Sequence, residues 1–242
     1  LAIALLGRLD ASVSLSGPVS GIPTQALTFT ATVDVPAGNF SPVNSRTVAF
    51  TRGTEVLCAA VPVAAGVATC THTDATEASG SVVATYNDPK VKTVASAPLA
   101  VSIDKITTMT ALTTSALEAR VGQLVNLTAT VTTPTTASLA TTGTVAFTDH
   151  GTVITDCAAV AVAEGKATCQ SAWTTRSTPE IAATYSGTAA TAGSASGVTT
   201  ISVGSASLIR LDSVPIPTFG TAFALTGEVR GYDTTPTGTV QV

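Results

Sequence analysis

The sequence predicts an all-β chain built of tandem antiparallel β-sandwiches. Composition, an internal repeat of nearly 100 residues and two equally spaced cysteine pairs carry that prediction. The 242 residues are only 11% charged and 4% aromatic, where a charged share of roughly 25% is usual. β-branched residues and turn formers dominate, as in strands and turns. The net charge of −4 provides no basic face for nucleic acid. No run approaches the roughly 18 to 20 apolar residues of a helical membrane span.

The repeat sets the organisation. "LTFTATV" at Leu27 returns as "VNLTATV" at Val125 and as "FALTGEV" at Phe223, each time 98 residues on. "TVAFT" occurs at Thr47 and Thr144, and "TVQV" at Thr239. "ATYNDP" at Ala84 and "ATYSGT" at Ala183 are 99 apart. The expected domains are therefore 10–103 and 104–203, with 204–242 the first half of a third. "LAIALL" precedes "SVSL" as "PLAVSI" precedes "TMTAL". Residues 1–9 are accordingly read as the last strand of a preceding repeat, in preference to a signal-peptide fragment lacking a basic n-region.

Within each unit the strands follow from alternation. Leu27, Phe29, Ala31 and Val33 alternate with threonines, and Val125, Leu127, Ala129 and Val131 with Asn126, Thr128 and Thr130, the pattern of a strand with one buried face. Val48 with Phe50, and Val145 with Phe147, mark a second strand whose phenylalanines should be equivalent core residues. Gly and Pro break the strands at "GIPTQ", "PAGNFSP", "RGTE" and "NDPK". About seven short strands per 100 residues predict an immunoglobulin-like sandwich. Tyr86 and Tyr185 end a strand, with the ring expected in the core and the hydroxyl bonded to nearby backbone. The stretch "LAVSIDKITTMTAL" joins the units without Gly or Pro, which favours a semi-rigid rod.

The four cysteines pair by spacing. Cys58 and Cys70 are 12 apart, as are Cys157 and Cys169. Each pair flanks a Gly-containing turn, "AAG" or "AEG", so a β-hairpin with one cysteine on each arm is expected. A disulfide within each unit is favoured over free thiols. Structural zinc wants four closely spaced ligands, and a redox pair wants C-x-x-C. Disulfides imply an oxidising compartment, hence an exported, extracellular or cell-surface protein.

These motifs, "LTFTATV…TVAFT…VLC…GVATC…VVATY" and "VNLTATV…GTVAFTDHGTVI…GKATC…IAATYSG", resemble the bacterial Ig-like domain repeats (group 3) of large exported or surface proteins. The resemblance spans both full units and the fragment. It implies sandwiches strung in tandem within adhesins, surface stalks and appendages of exported enzymes, and it transfers no catalytic chemistry.

Candidate chemistry is sparse. His72 with Asp74 could form a base and its orienter, but both lie near a strand end and the second unit has "CQSAWTT" there; they read as a solvated loop. His150 belongs to an Asp-His-Gly turn. Asp104 and Asp212 stand singly at the unit junctions, too few oxygens for calcium. Trp173 reads as a core or edge filler in preference to a sugar platform. The loops "DVPAGNFSPVNSR" and "TTPTTASLATTG" are the best contact candidates. No catalytic, cofactor-binding or metal residues and no cofactor are expected, and the chain is not read as an enzyme. The expected role is a structural spacer, stalk or filament body, with adhesive use a possibility. Accessory domains of a large secreted enzyme are the alternative. Expected partners are neighbouring Ig-like domains of the same chain and other copies in a surface assembly or fibre.

Overall fold

A computed structural model describes residues 10–35, 46–89, 91–134, 142–204, 207–211 and 227–231. The "LAIALL" strand, most of both long loops and most of the third repeat lie outside the described residues. The chain divides into two compact units, Leu1–Ile106 with Ala189–Ala192, and Thr107–Thr188 with Gly193–Val242. Among the described residues no helix is long and apolar enough to cross a membrane.

The first unit contains β1 (Ser12–Ser16), β2 (Ser20–Gly21), β3 (Ala26–Asp34), β4 (Thr47–Arg52), β5 (Glu55–Pro62), β6 (Val67–Thr73), β7 (Ala78–Asn87), β8 (Val94–Ala95) and β9 (Leu99–Ile103). One sheet has the order β1-β3-β6; the other runs β2-β9-β7-β4-β5, with β8 on β7. The alternation read from the sequence is the burial pattern observed. Leu27, Phe29, Ala31 and Val33 of β3 and Ala68 and Cys70 of β6 form one core with Val48, Phe50, Val82, Ala84, Tyr86, Val101 and Ile103. The outward threonines pair across strands, Thr28 with Thr71 at 2.9 Å between hydroxyls.

The second unit contains β10 (Met109–Thr114), β11 (Glu118–Arg120), β12 (Val125–Thr132), β13 (Thr144–Asp149), β14 (Thr152–Val153), β15 (Val160–Ala161), β16 (Lys166–Ser171), β17 (Glu180–Tyr185), β18 (Ser194–Ala195), β19 (Thr199–Thr200) and β20 (Ser202–Gly204). Its β10-β12-β16 sheet faces a sheet in which β13 pairs with β14, β15 and β17, and β17 with β18 and β19. Phe50 and Phe147 are both fully buried, as expected of equivalent core residues. Following β20, β21 (Ser207–Leu211) pairs antiparallel with β22 (Gly227–Gly231).

Each unit also has a parallel pair that alternation alone did not reveal. The short β2 runs beside β9, and β11 beside β20. The first strand changes sheet at Gly17-Pro18 in one unit and at Ser115-Ala116 in the other. A Cβ on Gly17 would lie 2.6 Å from Phe29 Cδ1, so the switch needs glycine where the core places a phenylalanine. In the second unit Leu127 stands where Phe29 does, and Ser115 fits; its Oγ accepts from the Asn126 amide at 2.9 Å.

Candidate functional site

The cysteines are paired Cys58–Cys70 and Cys157–Cys169. The hairpin expected around them is not formed. β5 pairs with β4, and β6 with β3, so consecutive strands lie in opposite sheets. Only the turn itself closes, by reciprocal hydrogen bonds between Ala64 and Val67. Ala65 and Gly66 take positive φ there, as Glu164 and Gly165 do in the second unit. The physical reason is that "RGTE" already supplies β5 with a hairpin partner in β4, while β6 completes the edge left open by β3. The first disulfide therefore bridges the two sheets, and the second ties β16 to the 3-10 turn between β14 and β15 of the facing sheet, with Cα atoms 5.9 and 5.8 Å apart. The expectation that such a bridge would stay within one hairpin is corrected.

The bridges are seated differently. In the first unit Cys70 is the buried member, pointing inward from β6 opposite Phe29. In the second it is Cys157, fully buried in a 3-10 turn over Thr155–Cys157. Two extra residues between the "TVAFT" strand and its cysteine in the second unit make room for that turn, which stands where the first unit has the strand β5.

Close to each disulfide a second, non-covalent link joins the sheets. In the first unit Arg52, at the end of β4, donates to both carboxylate oxygens of Asp74, one of these bonds being 3.0 Å, and through Nε and Nη2 to Glu55 Oε2 at 3.1 and 2.8 Å. The Arg52 side chain is only 7% exposed and that of Asp74 10%. The hydrogen bonds from Arg52 hold the Asp74 carboxyl below its ordinary range, against the opposing effect of burial. Arg52 is correspondingly raised, chiefly by Asp74. His72 Nε2 lies 3.5 Å from Asp74 Oδ1 and 3.8 Å from Glu55 Oε1. The solvated-loop reading of His72 and Asp74 is thus replaced by a half-buried ionic cluster.

The second unit has Asp149 in place of Arg52 and Trp173 in place of Asp74. Trp173 packs against the core and donates from Nε1 to Asp149 Oδ2 at 3.0 Å, the filler role expected of it. Asp149 Oδ1 also accepts from the Glu180 amide at 3.0 Å. His150 is in the turn as expected, with φ 48° and Nδ1 2.7 Å from Asp149 Oδ1. Sequence reading missed Arg52 and Glu55. The signal was available: aligning the units sets Arg52 against Asp149 and Asp74 against Trp173, two changes of polarity at facing positions.

The tyrosines are in the core as expected; the Tyr185 hydroxyl bonds backbone, also as expected, whereas that of Tyr86 bonds a carboxylate instead. Tyr86 donates to the Asp88 carboxylate at 3.1 Å, and burial, with that carboxylate, pushes its phenol up to about 12. Tyr185 donates to the carbonyl of Thr142, far away in sequence.

No curated protein shows significant sequence similarity to the chain. Among solved structures, the fibronectin(III)-like modules of Clostridium thermocellum CbhA are 17% identical, with 79% of this chain and 95% of that one covered and a TM-score of 0.31. The Yersinia pseudotuberculosis adhesin InvE is also 17% identical, with 82% and 61% covered and a TM-score of 0.41. An ICAM-5 D1–D4 ectodomain fragment is 18% identical, with 84% and 56% covered and a TM-score of 0.38. The chain thus spans less than two thirds of the adhesin and ICAM-5 structures. Residues 112–204 match the family model of the bacterial Ig-like domain (group 3), which places the second sandwich in that family, in agreement with the resemblance carried by its strand motifs.

Proposed function

We propose that this chain is a structural spacer or stalk segment of an exported bacterial surface protein, its domains carrying mechanical load and not chemistry. The observation that supports the reading is the closure of each sandwich by a covalent bridge between its sheets. Such a bridge holds the sheet edges together when the chain is pulled, and it keeps the 12-residue span between its cysteines from extending. The thiols need an oxidising compartment to pair, which fits an extracellular or cell-surface location.

Single-molecule pulling on the oxidised chain tests this. Each sandwich should unfold in its own force peak. Reduction should lengthen each released contour by about 40 Å, the extended length of 12 residues at roughly 3.3–3.6 Å each. Smooth extension without force peaks in the oxidised protein would refute a load-carrying role.

A further inference from the structure

The cluster beside the first disulfide offers more than an ion pair. Glu55 comes from β5, His72 from β6 and Asp74 from the segment after β6, so the donors belong to both sides of the sandwich. Their ligand-type atoms all lie within 4.8 Å of one another. His72 Nε2 faces Asp74 Oδ1 at 3.5 Å and Glu55 Oε1 at 3.8 Å. A tetrahedral ion bound at roughly 2.0–2.1 Å sets its ligand atoms about 3.3 Å apart. The two distances from His72 are therefore about 0.2 and 0.5 Å from that spacing, while Glu55 and Asp74 need only lie within 4.8 Å; the side chain of Glu55 is 48% exposed and held by Arg52 through Oε2, so Oε1 must turn inward to close the set.

Arg52 is the competitor to weigh. It takes Glu55 through Oε2 alone, leaving Oε1 directed at His72. It takes Asp74 through both oxygens, but a carboxylate oxygen has a second lone pair. One guanidinium against two carboxylates leaves one negative charge in excess at the imidazole. Arg52 then acts as ligating carboxylates commonly require, as an outer hydrogen-bond partner that orients them. We propose that Glu55, His72 and Asp74 form a binding site for a divalent late first-row ion of the zinc type, with solvent completing the coordination. One imidazole with two carboxylates suits zinc, whereas calcium wants an all-oxygen shell. The ion would join the sheets beside Cys58–Cys70 as a reversible second bridge. The second unit, with Thr152, Ser171 and Trp173 in the corresponding places, has no such site. This inference does not depend on the stalk reading.

The test uses the full oxidised chain, zinc chloride and a non-coordinating buffer near neutral pH. Equilibrium dialysis should show one zinc ion bound per chain. In NMR spectra the ring signals of His72 should shift on titration while those of His150 stay in place. His72→Ala and Glu55→Gln both leave the Arg52–Asp74 pair intact, and each should weaken binding by about tenfold or more. Acidification should release the ion, because protons compete with a metal for its ligands. Absence of binding at millimolar zinc, binding undiminished by His72→Ala, or shifts confined to His150 would each overturn the proposal. The wild-type NMR titration decides the question even if a variant folds poorly.

Discussion

The two sandwiches solve the same structural problem with opposite chemistry. At the end of β4 the first unit places a cation, Arg52, and receives it on the carboxylate of Asp74. At the end of β13 the second places an anion, Asp149, and receives it on the indole of Trp173. The backbone around both links is the same. Thr24 donates to the Asp74 carbonyl at 2.7 Å, and Gly122 to the Trp173 carbonyl at 2.8 Å. What the fold requires at this corner is a polar link between sheets, and the identity of the partners is free to change as long as both change together. The disulfides teach the same lesson, since the buried cysteine is on β6 in one unit and on the opposing side in the other.

If the units are equivalent where they look equivalent, the largest effects should be equal. Phe50→Ala and Phe147→Ala should each cost their own unit about 3–5 kcal/mol, the usual range for a buried phenylalanine. Hydrogen exchange resolved to β3 and β12 would read the two losses separately. A loss below about 1 kcal/mol at either site would break the equivalence. Removing the bridge with Cys58→Ala/Cys70→Ala or Cys157→Ala/Cys169→Ala should cost roughly 3 kcal/mol in each case, because the closed spans are the same length. A clear inequality would show that a cysteine seated on β5 and one seated in the 3-10 turn differ in strain.

The corner links should separate the units. Asp74→Asn removes a charge from beside the buried Arg52 and should cost about 2 kcal/mol, whereas Trp173→Phe removes one hydrogen bond and should cost about 1 kcal/mol. The ionic link also carries a pH dependence. Because Arg52 depresses the Asp74 pKa in the folded state, its contribution is complete above the unfolded carboxylate value of about 3.9 and is lost as pH falls through the lower folded value. Denaturant titrations between neutral pH and strong acid should therefore show a loss in the first unit that Asp74→Asn reduces. An acid limb unchanged by that substitution would mean the depression is not realised.

The smallest effect sharpens the comparison at the turn before β3. Thr24 has φ 69° where the second unit has Gly122 at 76°. A β-branched residue is strained there. Relief of about 1–2 kcal/mol, less the glycine's entropic cost of roughly 0.5–1 kcal/mol, should leave Thr24→Gly stabilising by up to about 1.5 kcal/mol. A thermal melt showing destabilisation would place the demand for threonine elsewhere.

Much of this architecture was legible because the β-strand period is two. Leu27 through Val33 and Val125 through Val131 could bury only one set of alternating side chains, and the repeat confirmed each strand twice. The cysteine pairing was legible from spacing, but its setting was not. Spacing fixes a loop length and leaves open whether the chain turns back within a sheet or crosses to the other. That choice is made by the long-range pairings of β5 with β4 and of β6 with β3, which local sequence does not encode. The Arg52 cluster was hidden for the same reason: Arg52 and Asp74 are 22 residues apart, on elements whose proximity depends on the crossing. Tyr86 and Tyr185 share a position but not a partner, because Asp88 follows only the first.

The central claim is that each sandwich is closed by its own bridge between sheets. Proteolysis of the unreduced, alkylated protein followed by mass spectrometry tests it directly. The expected result is two cross-linked peptide pairs, Cys58 with Cys70 and Cys157 with Cys169, and no alkylated cysteine. A cross-link between the two units, or four alkylated thiols in the native protein, would contradict it.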